Sequence, residues 1–222
     1  MIEEKQEQAP TLEKETNRVE AFSDGVFAVA ITLLVFNLNV PELAAQTVMP
    51  NSLAKMLASQ WAAYLAFIVS FATILIMWVN HHALFKLIYR SNPSFMFANG
   101  FLLLLVTVVP FPTRLVAMYL NTSAAETACA VYAGIFVIIN LAYNLLWWSA
   151  AYHHHLLRPD VSPAIVRAYT RNLLFGLPCY LVAMALAFWN PLASFGVCSL
   201  LWIFWGFTSY TGGPSRGYQH AG

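Results

Sequence analysis

Arg18-Val-Glu-Ala-Phe22-Ser23-Asp24-Gly25 places a cation, a hydroxyl and a carboxylate at the start of an apolar run that continues Val-Phe-Ala-Val29-Ala-Ile-Thr32-Leu33-Leu-Val-Phe36. Charges inside such a run are costly in lipid and face a bundle interior or a polar path. On a helix at about 100° per residue, Arg18, Phe22, Gly25, Val29, Thr32, Leu33 and Phe36 share one stripe, and Ser23 and Asp24 fall on its flanks. The stripe can face an axis or a partner while the polar pair anchors the helix to its own bundle. By spacing alone, the stripe reads as an ordinary packing seam and Asp24 as a structural hydrogen-bond acceptor.

A buried carboxylate needs donors. The second apolar run ends in Trp78-Val-Asn80-His81-His82-Ala-Leu-Phe85, and the third opens around Asn99. Trp78, His81, His82 and Asn99 are the suppliers expected for Asp24, and Ser70 and Ser94 are placed at the same depth. Adjacent histidines on a helix diverge by about 100°, so no metal is assigned to His81 and His82. His153-His154-His155, before Leu-Leu-Arg158-Pro159-Asp160, reads as a solvated interfacial loop, with a metal or pH-sensing role as the alternative.

Positioning these groups falls to helices in lipid. Of the 222 residues, 59% are hydrophobic and 9% charged, with net charge +1. So few charges cannot cover a water-facing surface, where about 25% is usual, and nothing basic enough for a nucleic-acid face is present. Six candidate spans emerge, approximately Val19–Val40, Leu57–Leu84, Phe95–Tyr119, Ala128–Ala151, Ala168–Trp189 and Leu192–Tyr210. Each is close to the ~20 residues a helical span needs, and lipid demands helices where backbone groups must be satisfied internally. Pro110 and Pro112 are expected to kink or end the third. With the N-terminus inside, Lys5, Lys14, Arg18, Lys86, Arg90, Arg158, Arg167, Arg171 and Arg216 are cytosolic and only Lys55 and Arg114 are outside, as the positive-inside rule favours. The organisation is then a polar cytosolic arm without a signal peptide (1–17), a six-helix membrane domain (18–210) and a short cytosolic tail (211–222). Cys129, Cys179 and Cys198 read as small buried hydrophobes.

The chain has no Thr-Val-Gly-Tyr-Gly run for a carbonyl filter, no phosphate-binding loop, no zinc-protease motif and no nucleophile elbow. Arg18-x-x-x-Phe22-Ser23-Asp24 opening the first span, Trp78-x-x-His81-His82 ending the second, and Asn99 with Pro110-Phe-Pro-Thr113 in the third resemble the transmembrane protein 175 potassium channels, prokaryotic branch. The resemblance covers all six spans. It implies a homotetramer of all-α six-helix units, without enzymatic activity or cofactor, that passes potassium ions through a pore lined by the first helix. It matches the apolar constriction to Val29, Leu33 and Phe36, and the pore lining near it to Gly25 and Thr32. It matches the interhelical polar network to Arg18, Phe22, Ser23, Asp24, Trp78, His81, His82 and Asn99. Val29 stands where the family usually has isoleucine or leucine, and Phe36 where it has an aliphatic residue. The agreement of this pore face with the stripe turns the reading toward a modestly potassium-selective, passive channel in a prokaryotic plasma membrane. The rivals are a proton-coupled secondary transporter using Asp24 and His81, and a structural or partner-binding membrane protein.

Overall fold

The structure is a computed structural model, and it describes residues 2–40, 52–152 and 156–211, with side chains over 16–40, 53–152 and 156–206. His153–His155 and the tail beyond 211 lie outside the described residues, as do the side chains of the N-terminal arm up to residue 15. The described elements are α1 (Ile2–Leu33), a 3-10 turn (Leu34–Asn37), α2 (Ser52–Ser59), α3 (Trp61–Phe85), α4 (Pro93–Val108), α5 (Pro110–Tyr119), α6 (Ala125–Ala151), α7 (Pro163–Leu186) and α8 (Pro191–Thr211). The chain is all-α, as its composition requires.

Among the described residues, four stretches are long and apolar enough to cross a membrane: Thr16–Asn37, Trp61–Phe85, Pro93–Tyr119 and Ala125–Ala151. α7 has the length but carries Arg167, Arg171 and Asn172 in its first half, and the described apolar part of α8 is Pro191–Gly206. The expected second span needs correction. It does not run from Leu57, because the chain turns at Gln60, where the Ser59 hydroxyl bonds back to the Met56 carbonyl (2.7 Å) and the Gln60 amide to the Leu57 carbonyl (3.1 Å). The short amphipathic α2 is thereby set apart from α3.

Helix starts follow a repeated chemistry. Asn92, Ser162 and Asn190 stand before Pro93, Pro163 and Pro191, and each side-chain oxygen accepts the amide three residues on, at 2.8, 3.4 and 3.0 Å. The cap takes an orphan donor, while proline at the first helical position gives up an amide that has no partner there anyway. Pro110 does the same at an interior point and splits the third span into α4 and α5.

α6 is the hub and packs on α4, α5, α7 and α8, while α1 packs chiefly on α3 and α4 at the edge of the bundle. Pro178 lies inside α7 and removes one interior amide from its ladder. Nearby, the Leu173 carbonyl receives the amides of Asn140 (3.4 Å) and Asn144 (3.3 Å). Gly176 allows this approach. A Cβ there would stand 2.4 Å from Asn140 Nδ2 and 2.9 Å from a Trp205 ring carbon. Ile88 and Leu157 form an isolated antiparallel bridge, with Tyr89 N donating to Leu156 O (2.8 Å) and Arg158 N to Leu87 O (2.9 Å). It clasps the α3–α4 connection to the α6–α7 connection.

Gly176→Ala is expected to cost about 1–3 kcal/mol of stability, read as a lowered thermal midpoint in detergent. Gly196→Ala, where a Cβ meets nothing within 4 Å, leaves the midpoint unchanged or raises it slightly. Equal midpoints for the two variants would show that the α6–α7 approach is not tight.

Candidate functional site: the anchored first helix

α1 carries two sets of residues on opposed faces. On the bundle side Ser23, Phe27, Ala30, Leu34 and Asn37 are buried. On the other side Arg18, Phe22, Gly25, Val29, Thr32, Leu33 and Phe36 are all exposed, with Phe22 at 67%, Val29 at 54%, Leu33 at 39% and Phe36 at 72%. Most of the stripe is therefore left uncovered by the described residues of its own chain.

The buried face is fastened by a directed series of hydrogen bonds. Ser23 Oγ donates to the Val19 carbonyl at 2.8 Å, which can only accept. Its lone pairs then receive Asn99 Nδ2 at 2.9 Å, which turns Asn99 Oδ1 toward His81 Nε2 at 2.9 Å. His81 must donate from Nε2, so the tautomer is fixed by the series. Its Nδ1 is buried with no hydrogen-bond partner, and the ring lies 5.2 Å from the Phe27 centroid and 4.5 Å from that of Phe85. Ser23, His81 and Asn99 are sealed from solvent, where neutral, paired groups are the inexpensive solution.

A second set lies beside it. Asp24 Oδ1 accepts the indole N–H of Trp78 at 2.8 Å, and one turn back Glu20 Oε1 meets His82 Nδ1 at 2.6 Å. Trp78 and His82 stack with centroids 6.0 Å apart and planes 13° from parallel. α1 and α3 run in opposite directions, so the one-turn step from Glu20 to Asp24 matches the one-turn step from His82 back to Trp78. Residues four apart lie on one helix face, which makes this a two-rung ladder. Glu20 was missed in the sequence, although its spacing from Asp24 equals that of Trp78 from His82.

Three placements differ from the expectation. Asp24 takes only Trp78 among the four expected donors, and His81, His82 and Asn99 bond elsewhere. Arg18 and Phe22 take no part in the hydrogen-bonded series. Phe22 is exposed, and Arg18 makes no hydrogen bond or ion pair among the described residues; both line a cavity of about 550 Å³ with Ser91, Met96, Asn99 and Gly100. Ser70 lies at a different depth, because it is three helical turns before His81 on α3. Its Oγ lies 2.7 Å from Thr113 Oγ1, whose own proton goes to the Val109 carbonyl at 2.8 Å, and 3.4 Å from the Tyr132 hydroxyl. Ser94 is exposed. At the far end of α1, Asn37 Nδ2 donates to the Pro110 carbonyl at 3.1 Å. The helix is thus pinned near both ends of its apolar length, and its bare stripe lies between the pins. No group of three or more histidine, cysteine or acidic side chains fit for a metal occurs among the described residues.

An all-helical chain with four membrane-length apolar stretches and a buried polar lattice joining its first three is built as a polytopic membrane protein. The family model described as the endosomal/lysosomal potassium channel TMEM175 matches residues 18–110. A potassium channel of Chamaesiphon minutus is 48% identical over 197 residues, covering 89% of this chain and 96% of its own. The crystal structure of a lysosomal potassium-selective channel TMEM175 homolog from Chamaesiphon minutus superposes with a TM-score of 0.79, covering 88% of this chain and 98% of that one. A Danio rerio relative named an endosomal/lysosomal proton channel is 32% identical over 60% of this chain and 26% of its own. The chain belongs to the TMEM175 family of ion channels.

Removing the Asp24 carboxylate leaves the half-buried Trp78 N–H without its partner, at roughly 1 kcal/mol. Asp24→Ala and Trp78→Phe are each expected to lower stability in detergent by that order. The double variant loses less than the two losses added, because both break one bond. Strict additivity of the thermal shifts would mean that the pair does not couple α1 to α3.

Proposed function

We propose that four copies of this chain form a passive, modestly selective potassium channel in a prokaryotic plasma membrane. Each subunit spans six times, through α1, α3, α4–α5, α6, α7 and α8, with both termini cytosolic. The bare face of α1 lines the pore. One observation carries the reading: α1 is fastened along its buried face and near both ends of its apolar length, yet its stripe of Phe22, Val29, Leu33 and Phe36 is exposed. A helix held so firmly, with an apolar face left bare in a single chain, is suited to meet its own copies about an axis. The potassium channel from Chamaesiphon minutus, so similar along nearly its whole length, supports potassium as the permeant ion.

In such an assembly Val29, Leu33 and Phe36 become rings of identical side chains. Apolar rings offer no ligands in place of an ion's water shell, so passage depends on width and wetting. Gly25 leaves room on the approach. Thr32 Oγ1 donates to the Val29 carbonyl at 2.8 Å, so its hydroxyl oxygen keeps lone pairs for water or a cation. Arg18 and Phe22 stand at the N-terminal mouth. The polar series beneath this face acts by positioning: it contributes no group to the path and keeps the stripe in register. The same geometry weighs against Asp24 and His81 as a coupled proton site. They are not hydrogen-bonded to each other, and the His81 series has a fixed direction.

Val29→Asn is expected to raise single-channel conductance and erode the preference for potassium over sodium, with the oligomer intact. Lowering the crossing barrier by about 1.4 kcal/mol would raise conductance roughly tenfold. Leu33→Asn and Phe36→Asn act in the same direction, and Ile31→Val, off the stripe, changes little. The measurement is conductance and bi-ionic reversal potential in planar bilayers. A third gradient, of protons, tests the ion named for the Danio rerio relative. Wild-type behaviour in all three asparagine variants would remove α1 from the permeation path.

A further inference from the structure

We infer that the groove between the end of α6 and the start of α7 binds the headgroup and first acyl segments of an anionic phospholipid. The groove has a volume of about 600 Å³ and is lined by Trp147, Trp148, Tyr152, Thr170 and Leu174, among others. Its walls combine an apolar body with hydrogen-bonding tips, the composition of a membrane interface. Trp148 and Tyr152 are exposed at 61% and 55%, and their rings lie 5.1 Å apart. Trp147 is already committed, its indole N–H donating to Thr170 Oγ1 at 2.8 Å, so Trp148, 61% exposed, is the indole that faces a ligand in the groove.

Charge decides between a zwitterionic and an anionic lipid. Arg167 and Arg171 lie one turn apart on α7 and immediately follow the groove residues Val166 and Thr170. Both are exposed and make no hydrogen bond or ion pair among the described residues. The acidic side chains described nearest in sequence, Asp160 and Glu126, belong to the preceding loop and to the other end of α6. Two exposed guanidiniums with no partner among the described residues, each next in sequence to a groove residue, complement a phosphodiester, and Arg matches phosphate oxygens in bidentate geometry. On the orientation proposed above, this groove faces the cytosolic leaflet. The inference rests on the membrane placement of α6 and α7 and not on conduction.

The test reconstitutes the wild-type protein in vesicles doped with brominated phosphatidylglycerol or brominated phosphatidylcholine, and reads quenching of the emission that Trp148→Phe removes. Two arginines near a surface favour an anionic lipid by about tenfold or more, so phosphatidylglycerol quenches at far lower mole fraction. Arg167→Gln with Arg171→Gln abolishes that preference, and Arg167→Lys with Arg171→Lys retains much of it. Channel flux of the glutamine variant in phosphatidylcholine vesicles is read alongside, so that loss of conduction is kept apart from loss of lipid binding. Equal quenching by the two lipids in the wild-type protein overturns the proposal even if a variant fails to assemble. Suppression of the quenching by millimolar inorganic phosphate also overturns it, since the site would then read phosphate and not lipid.

Discussion

A polar group buried in lipid must find its partner inside the protein. For this chain that constraint falls on Ser23, a hydroxyl buried on the inward face of α1. The nearest acceptor is the carbonyl of Val19 on its own helix, and using it commits the only hydroxyl proton. Everything that follows is forced. Asn99 must present its amide to Ser23, its carbonyl must face His81, and His81 must donate. Three helices are joined by groups whose donor and acceptor capacities leave one arrangement. Turning α1 by one residue, about 100°, would carry Ser23 out of reach and bring Asp24 toward the sealed interior. The rotation of α1, and with it the direction of the apolar stripe, is therefore set by hydrogen bonds on the opposite face.

The ladder of Glu20 with His82 and Asp24 with Trp78 adds a different restraint. Its rungs are only partly buried, where ionic and charge-assisted bonds cost less to form than in the core. The inner series contains no formal charge, while both carboxylates sit at the half-exposed edge. This ordering of polarity lets a membrane helix keep acidic residues without a bare charge in lipid. The stacked rings of Trp78 and His82 hold both donors on one side of α3, so the two rungs reinforce each other.

Much of this was legible in the sequence, for reasons that can be named. The stripe from Arg18 to Phe36 emerges from 3.6-residue periodicity, since α1 is regular to Leu33. Asn99 and the histidines were recognisable as polar groups too costly to bury unpaired. What could not be read was the pairing. Donor lists do not say which acceptor each will meet, and Asp24 took only Trp78. Glu20 was legible in principle, because two four-residue steps on antiparallel helices form a ladder. The Ser70, Thr113 and Tyr132 cluster was not, since it needs the proline break to aim α5 at α3 and α6. Helix starts at Asn92-Pro93 and Ser162-Pro163 were as readable as Asn190-Pro191, and passing over them moved the spans' starts by a few residues.

The C-terminal end of α1 shows how local winding and tertiary contact decide the same question. Beyond Leu33 the chain tightens into a 3-10 turn over Leu34–Asn37. At three residues per turn each step advances about 120°, so Phe36 returns to the direction of Leu33, and Asn37 to that of Leu34. The exposures agree, with Leu33 and Phe36 open and Leu34 and Asn37 buried. An α-helical continuation would have turned Phe36 about 60° away from Leu33. The rise also grows, to about 2.0 Å per residue, which spaces the two side chains by roughly 6 Å along the axis. The turn is held by Asn37, which reaches the carbonyl of Pro110. Pro110 opens α5, so that carbonyl lies at the break between α4 and α5, within reach of a third element. Two departures from α-helical regularity thus meet in one hydrogen bond, and that bond fixes the direction of the last exposed residue of the stripe over that of Leu33.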